Sequence, residues 1–312
     1  MAKAIDTPAN VWSATPTPFN KSMNVCKMSV KRLVEHHVKL GITGLFLLGT
    51  CGEGAWMTDQ QRRDMVDAVV KYNEGRLKLA VQCTDNSAAR ILDNMKWAKA
   101  AGADIAVIAP PHFLINATPK TIYELYHEAI EGSPLPVGIY ARGHHGPVAV
   151  PESVKKKLYM EEKVVLVKDS SSNPRLRDIA LAARKKRPEL LLLDGNEFMC
   201  VEYLAAGYDG LLLGGGIFNG YLAGQIMNAV SAGDIALAEK LQARMSKMMW
   251  DVYGGKKISC WLSGQKKLLV EMGIFGTWNS YLKFPLHKSC EKAIARVLER
   301  EADMLFPCRR GS

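Results

Sequence analysis

The sequence predicts an α/β fold, a TIM (β/α)8 barrel with a C-terminal helical extension. Three observations predict it. Eight short apolar runs recur along the chain, amphipathic helical stretches separate them, and the repeat of about 30 residues is that of one strand–helix unit. Alternating strands and helices imply a parallel sheet with right-handed crossovers. Eight units match a barrel, whereas a doubly wound sheet usually has about five to seven strands.

The predicted strands cover residues 11–14, 44–48, 77–82, 105–109, 137–140, 164–168, 190–193 and 210–213. Each is a short apolar run bounded by turn-forming residues. Predicted helices follow at 28–40, before Gly41, and at 59–72, with Thr58 as N-cap. A third spans 87–101 and ends at Gly102, and a fourth spans 119–130 with Pro119 in its first turn. From Tyr221 onward only helical patterns appear, at 235–250, 263–272 and 286–298. Residues 1–220 are therefore expected to form the barrel carrying the active site. Residues 221–312 are expected to form a C-terminal helical region packed on it.

Composition narrows the function. The chain has 312 residues, 48% of them hydrophobic, enough for a large core. No apolar stretch reaches the roughly 18–20 residues that cross a bilayer, so no membrane partner is expected. The first residues, Met1 to Asp6, lack the apolar segment of a secretion signal. Seven cysteines are widely spaced with no CxxC, which suits reduced thiols and a cytoplasmic location. The formal charge of +10 comes from short basic clusters at 155–157, 184–187, 256–257 and 266–267. No basic stripe interleaved with aromatics appears, so nucleic acid is not an expected partner. A general positive potential favours small anionic substrates.

In a TIM barrel the chemistry gathers at the C-terminal ends of the strands. Lys168 closes the apolar run Val164-Val165-Leu166-Val167, before the break Asp169-Ser170-Ser171-Ser172-Asn173-Pro174. A lysine there is either half in the core, where desolvation disfavours the ammonium and a neutral amine can attack a ketone, or snorkelling to water along its apolar stem. Tyr140 ends the adjacent fifth strand and could relay protons, or could fill the barrel mouth with its hydroxyl wet. The second strand ends in Gly49-Thr50-Cys51-Gly52-Glu53-Gly54. Such a turn lets backbone N–H groups approach a carboxylate or phosphate, or merely needs glycine to close. His112, His144 and His145 lie near strand ends, but no carboxylate stands beside them at ligand spacing, so neither a metal nor a cofactor is expected.

Taken together, TPTPF, GTCGE, PPHF, IY and KD at five strand ends resemble the dihydrodipicolinate synthase/N-acetylneuraminate lyase family, class I pyruvate-type aldolases and dehydratases. The resemblance runs from about Trp12 to Asn219, and GITGLFLLGTCGEG is its most specific segment. It implies that Lys168 forms a Schiff base with a 2-keto acid, that Tyr140 handles protons beside the imine, and that the Thr50-Cys51 turn holds the keto acid's carboxylate. It further implies that Gly195 and Glu197, after the seventh strand, contact substrate hydroxyls, and that the chain assembles as a homodimer or homotetramer.

Three departures bear on the substrate. The second hydroxyl residue of the turn is replaced by Cys51. The usual fourth-strand tyrosine pair is His112-Phe113. The fifth-strand loop, roughly YNxPxRT in dihydrodipicolinate synthases, is Tyr140-Ala141-Arg142-Gly143-His144-His145, with His145 near the place of the arginine that grips a semialdehyde's carboxylate. The expected function is a Schiff-base lyase, aldolase or dehydratase, acting on a pyruvate-yielding or 2-keto-3-deoxy sugar-acid substrate. The alternatives are dihydrodipicolinate synthase itself, condensing pyruvate with aspartate semialdehyde, a catalytically silent barrel with a binding role, and a phosphate-binding barrel using Gly214-Gly215-Gly216.

Overall fold

Eight parallel strands close into one barrel in chain order, with β8 pairing back onto β1. The structure is a computed structural model and describes residues 10–143, 146 and 148–306. The strands are β1 Val11–Ala14, β2 Gly44–Leu47, β3 Lys78–Gln82, β4 Ile105–Ile108, β5 Val137–Ala141, β6 Val164–Asp169, β7 Leu191–Asp194 and β8 Gly210–Leu213. Alternating with them are α1 Lys27–Lys39, α2 Asp59–Asn73, α3 Ala88–Ala101, α4 Pro119–Glu131, α5 Glu152–Leu158, α6 Pro174–Lys186, α7 Cys200–Ala205 and α8 Gly216–Ser231. Helices α9 Ile235–Tyr253, α10 Trp261–Glu271, α11 Lys288–Arg300 and α12 Ala302–Leu305 follow. Helix α8 runs unbroken through residue 220, the expected division between barrel and helical region. Among the described residues no helix is long and apolar enough to cross a membrane.

Local chemistry starts and stops these elements, at Thr58, Pro119 and Gly102 as anticipated. Thr58 caps α2 in a capping box with Gln61, and Thr118 caps α4 just before Pro119. Gly102 ends α3 at φ 103, a left-handed position that glycine adopts without steric penalty. Strand β2 stops at Leu47, one residue earlier than expected, because Leu48 turns into the left-handed region at φ 61.

The core divides into two layers. Trp12, Phe46, Val107, Leu166, Leu193 and Leu212 fill the barrel interior. Their outward-facing neighbours, such as Leu45, Leu47, Val81, Ile108 and Val167, pack against the helices in the larger cluster. Fully burying one such side chain contributes about 1.5–3 kcal/mol. The closed apolar barrel leaves its polar residues at the mouth.

Candidate active site

Strands β5 and β6 pair in a register that sets Tyr140 opposite Lys168. Lys168 shares the inward parity of Leu166, two residues before it, so its side chain rises inside the barrel. Only 5% of it is exposed. Its ammonium lies 4.3 Å from the ring centroid of Tyr140 and 4.9 Å from that of Phe46. These two rings meet edge to face at 5.8 Å, so the amine is held over aromatic surface with no carboxylate within ion-pair distance among the described residues.

A cavity of about 300 Å³ at the barrel mouth brings together all six residues singled out from the sequence: Lys168, Tyr140, Thr50, Cys51, Gly195 and Glu197. It adds Arg142, Ser170 and Trp261. His144 and His145 lie outside the described residues. Burial raises the pKa of the Tyr140 phenol, but Lys168, Arg142 and hydrogen bonds with Ser170 and Thr50 outweigh it, so the phenol ionises more readily than a free tyrosine. Ser170 is placed by its neighbour Asp169, whose carboxylate accepts from the Tyr208 hydroxyl at 2.8 Å and the Ser171 N–H at 2.8 Å.

The glycine-rich turn owes its composition to close packing. A Cβ on Gly52 would come within 2.9 Å of the Leu48 nitrogen, and one on Gly54 would strike the Leu48 carbonyl. None of the turn's glycines has a positive φ, whereas Leu48 and Glu53 do. Thr50 and Cys51 donate their N–H groups to no protein acceptor among the described residues. The Cys51 thiol is a poor acid, pushed up to about 12 by burial and by the negative charge of Glu197. It stays protonated, with hydrogen bonds to the Gly214 carbonyl at 3.4 Å and to Gln265 Oε1 at 3.5 Å.

Gly195 has a steric role. A Cβ there would collide with Ser170 Oγ and approach Lys168 Cε to 3.0 Å. Gly195→Ala is therefore expected to displace the amine and lower turnover by about 10²-fold, because small misplacements of a reacting group carry large rate costs. Circular dichroism and thermal melting of the variant should stay near wild type. A turnover within a few-fold of wild type would remove this steric reading.

Glu197 is the residue whose surroundings differ most from a free substrate acceptor. Both its oxygens accept from the Gly215 N–H at 2.9 Å, Oε2 also accepts from Asn219 Nδ2 at 2.9 Å, and the Tyr253 hydroxyl lies 3.3 Å from Oε1. Burial raises its pKa, and these donors partly offset the rise. The carboxylate thus ties the turn after β8 to α8 and α9.

Sequence reasoning missed the contribution of α10. Trp261 borders the cavity, Gln265 Nε2 donates to the Gly214 carbonyl at 2.8 Å, and Lys266 forms a buried ion pair with Glu53. A lysine inside an amphipathic helix normally signals a solvated face, so no local signal marked it.

The chain matches the model of the Dihydrodipicolinate synthetase family over residues 7–283. It is similar to a 4-hydroxy-tetrahydrodipicolinate synthase of Anaeromyxobacter sp. (strain Fw109-5), 24% identical over 271 residues, 87% of this chain and 89% of the relative. Among solved structures it resembles dihydrodipicolinate synthase from Bacteroides thetaiotaomicron, with a TM-score of 0.85 at 24% identity, covering 94% of this chain and 98% of that one. It also resembles YagE from E. coli K12, solved in complex with pyruvate, with a TM-score of 0.83 at 18% identity over 96% of this chain and 99% of that one.

Proposed function

The chain belongs to the dihydrodipicolinate synthetase family and is an enzyme of the class I lyase type, and from that premise we propose that Lys168 forms a Schiff base with a 2-keto acid whose cleavage or dehydration it catalyses. The observation that carries the proposal is the Lys168 amine, nearly buried inside the barrel, 4.3 Å from the Tyr140 ring and in one cavity with the Thr50–Cys51 turn. The amine lone pair adds to the ketone carbon, and the ketone oxygen leaves as water. The resulting iminium draws electrons from the adjacent carbon, so a C–C bond one position further can break, releasing an aldehyde and an enamine. Protonation of the enamine and hydrolysis of the imine return pyruvate and the free lysine. Tyr140 moves the protons in these steps, a role favoured by its readily ionised phenol. The free amides of Thr50 and Cys51 receive the keto acid's carboxylate.

The test is borohydride reduction in the presence of pyruvate. It should add the mass of a reduced pyruvyl group to the peptide containing Lys168. Labelling at another lysine, or none across a panel of 2-keto acids, would overturn the proposal.

The substrate's tail is addressed by a second observation. Glu197 has its oxygens engaged, whereas Arg142 borders the cavity with its guanidinium carbon 5.9 Å from the Tyr140 centroid and has no acidic partner among the described residues. This favours a tail carrying a carboxylate, as in the condensation with aspartate semialdehyde, over an uncharged polyol. Arg142→Gln should then cut kcat/KM by about 10–100-fold for substrates with a tail carboxylate, the worth of one charge-assisted bond. Uncharged sugar-acid tails should change little. Equal losses for both kinds of substrate would return the polyol reading to first place.

Assembly as a homodimer or homotetramer belongs to the same proposal. Exposed Trp56, Phe113 and Ile115, in the segments that follow strands β2 and β4, support it, and light scattering would test it.

A further inference from the structure

Glu53 and Lys266 are both wholly buried and form an ion pair between the glycine-rich turn and α10. The Glu53 carboxylate also accepts from Ser280 Oγ at 2.8 Å and from the Tyr281 N–H at 2.6 Å, while Lys266 donates to the Asn279 carbonyl at 2.8 Å and lies 4.6 Å from the Phe19 ring centroid. Burying two charges in this way adds little net stability over a well-packed apolar pair, because desolvation offsets the attraction. The pair's use has to be sought in what it holds in place.

What it holds is the turn at the cavity. Glu53 occupies the left-handed region at φ 59, which a side chain with a Cβ adopts only when its surroundings enforce it. Its N–H donates to the Thr50 carbonyl at 3.2 Å, closing the turn Thr50–Glu53, and Thr17 Oγ1 donates to the Gly52 carbonyl at 2.6 Å. The direction of the Thr50 and Cys51 amides therefore depends on a backbone conformation that the Glu53 carboxylate anchors from behind. One residue along α10, Gln265 engages the Cys51 thiol and the Gly214 carbonyl, so the same helix reaches the turn by two routes.

We propose that Glu53 is a positioning residue for the keto-acid carboxylate cradle, and that Lys266 fixes it there, making α10 of the C-terminal region part of the catalytic apparatus. This rests on the reading of Lys168 and the Thr50–Cys51 turn given above. Glu53 touches no substrate. It acts by aiming two backbone amides that do.

The test compares two ketones by borohydride trapping at Lys168: pyruvate, which carries the carboxylate, and acetone, which does not. In Glu53→Gln the pyruvate concentration for half-maximal trapping should rise by about tenfold or more, the loss of one well-aimed hydrogen bond to a charged group. Labelling at saturating pyruvate should still reach Lys168, and the acetone concentration should stay within about twofold of wild type. The double variant Glu53→Gln/Lys266→Met removes both charges, so no lone buried ion opposes folding, and it should show the same split. A pyruvate requirement unchanged in the double variant would overturn the inference. So would parallel losses for pyruvate and acetone, the mark of a merely structural role. Absence of Lys168 labelling in the wild-type enzyme would instead overturn the Schiff-base reading, and this inference with it.

Discussion

Lys168→Ala should abolish turnover, lowering kcat by about 10⁴-fold or more, and should eliminate borohydride-dependent labelling by pyruvate. The magnitude follows from the chemistry, since without a covalent imine no other group in the cavity can serve as the electron sink. The variant should fold. It removes an ammonium that is only 5% exposed and has no carboxylate partner among the described residues, so no buried charge is left stranded. Lys168→Arg should be equally inactive, because a guanidinium keeps its proton and offers no nucleophilic lone pair. Intact melting with retained activity in either variant would overturn the assignment of the nucleophile.

The second large effect is expected at the neighbouring strand. Tyr140→Phe keeps the ring that lies 5.8 Å from Phe46 and 4.3 Å from the Lys168 amine, so the packing around the nucleophile persists. It removes only the hydroxyl that bonds with Ser170 and Thr50. We expect kcat to fall by about 10²–10⁴-fold with little change in KM, the pattern of a group that acts on protons after binding. Labelling of Lys168 should persist but form more slowly. The unmet hydroxyls should cost about 1–2 kcal/mol of stability, checked by thermal or urea unfolding. A raised KM with unchanged kcat would make Tyr140 a binding residue.

Much of the fold was legible because it rests on local rules. Thr58, Pro119 and Gly102 mark helix ends through short-range hydrogen bonds and backbone sterics, which a sequence states directly. The eight apolar runs were equally plain, since strands buried on both faces are apolar throughout. For that same reason facing was not legible. Val164-Val165-Leu166-Val167 carries no alternation, so nothing local says that Leu166 and Lys168 point inward and Val167 outward. Closure of the barrel decides it.

The sequence by itself determined the order of strands and helices, the strand ends where chemistry could gather, and the presence of a lysine, a tyrosine and a glycine-rich turn among them. Each of those depends on neighbours within a few residues. Only the tertiary structure decided the occupancy and reach of the side chains: that Glu197 spends its carboxylate on Gly215 and Asn219, that Arg142 borders the cavity without an acidic partner among the described residues, and that Lys266 meets Glu53 across 213 positions of chain. Hydrogen bonds and ion pairs are satisfied by whatever group lies within about 3 Å, and distance through space is fixed by how the barrel closes and the last helices pack against it.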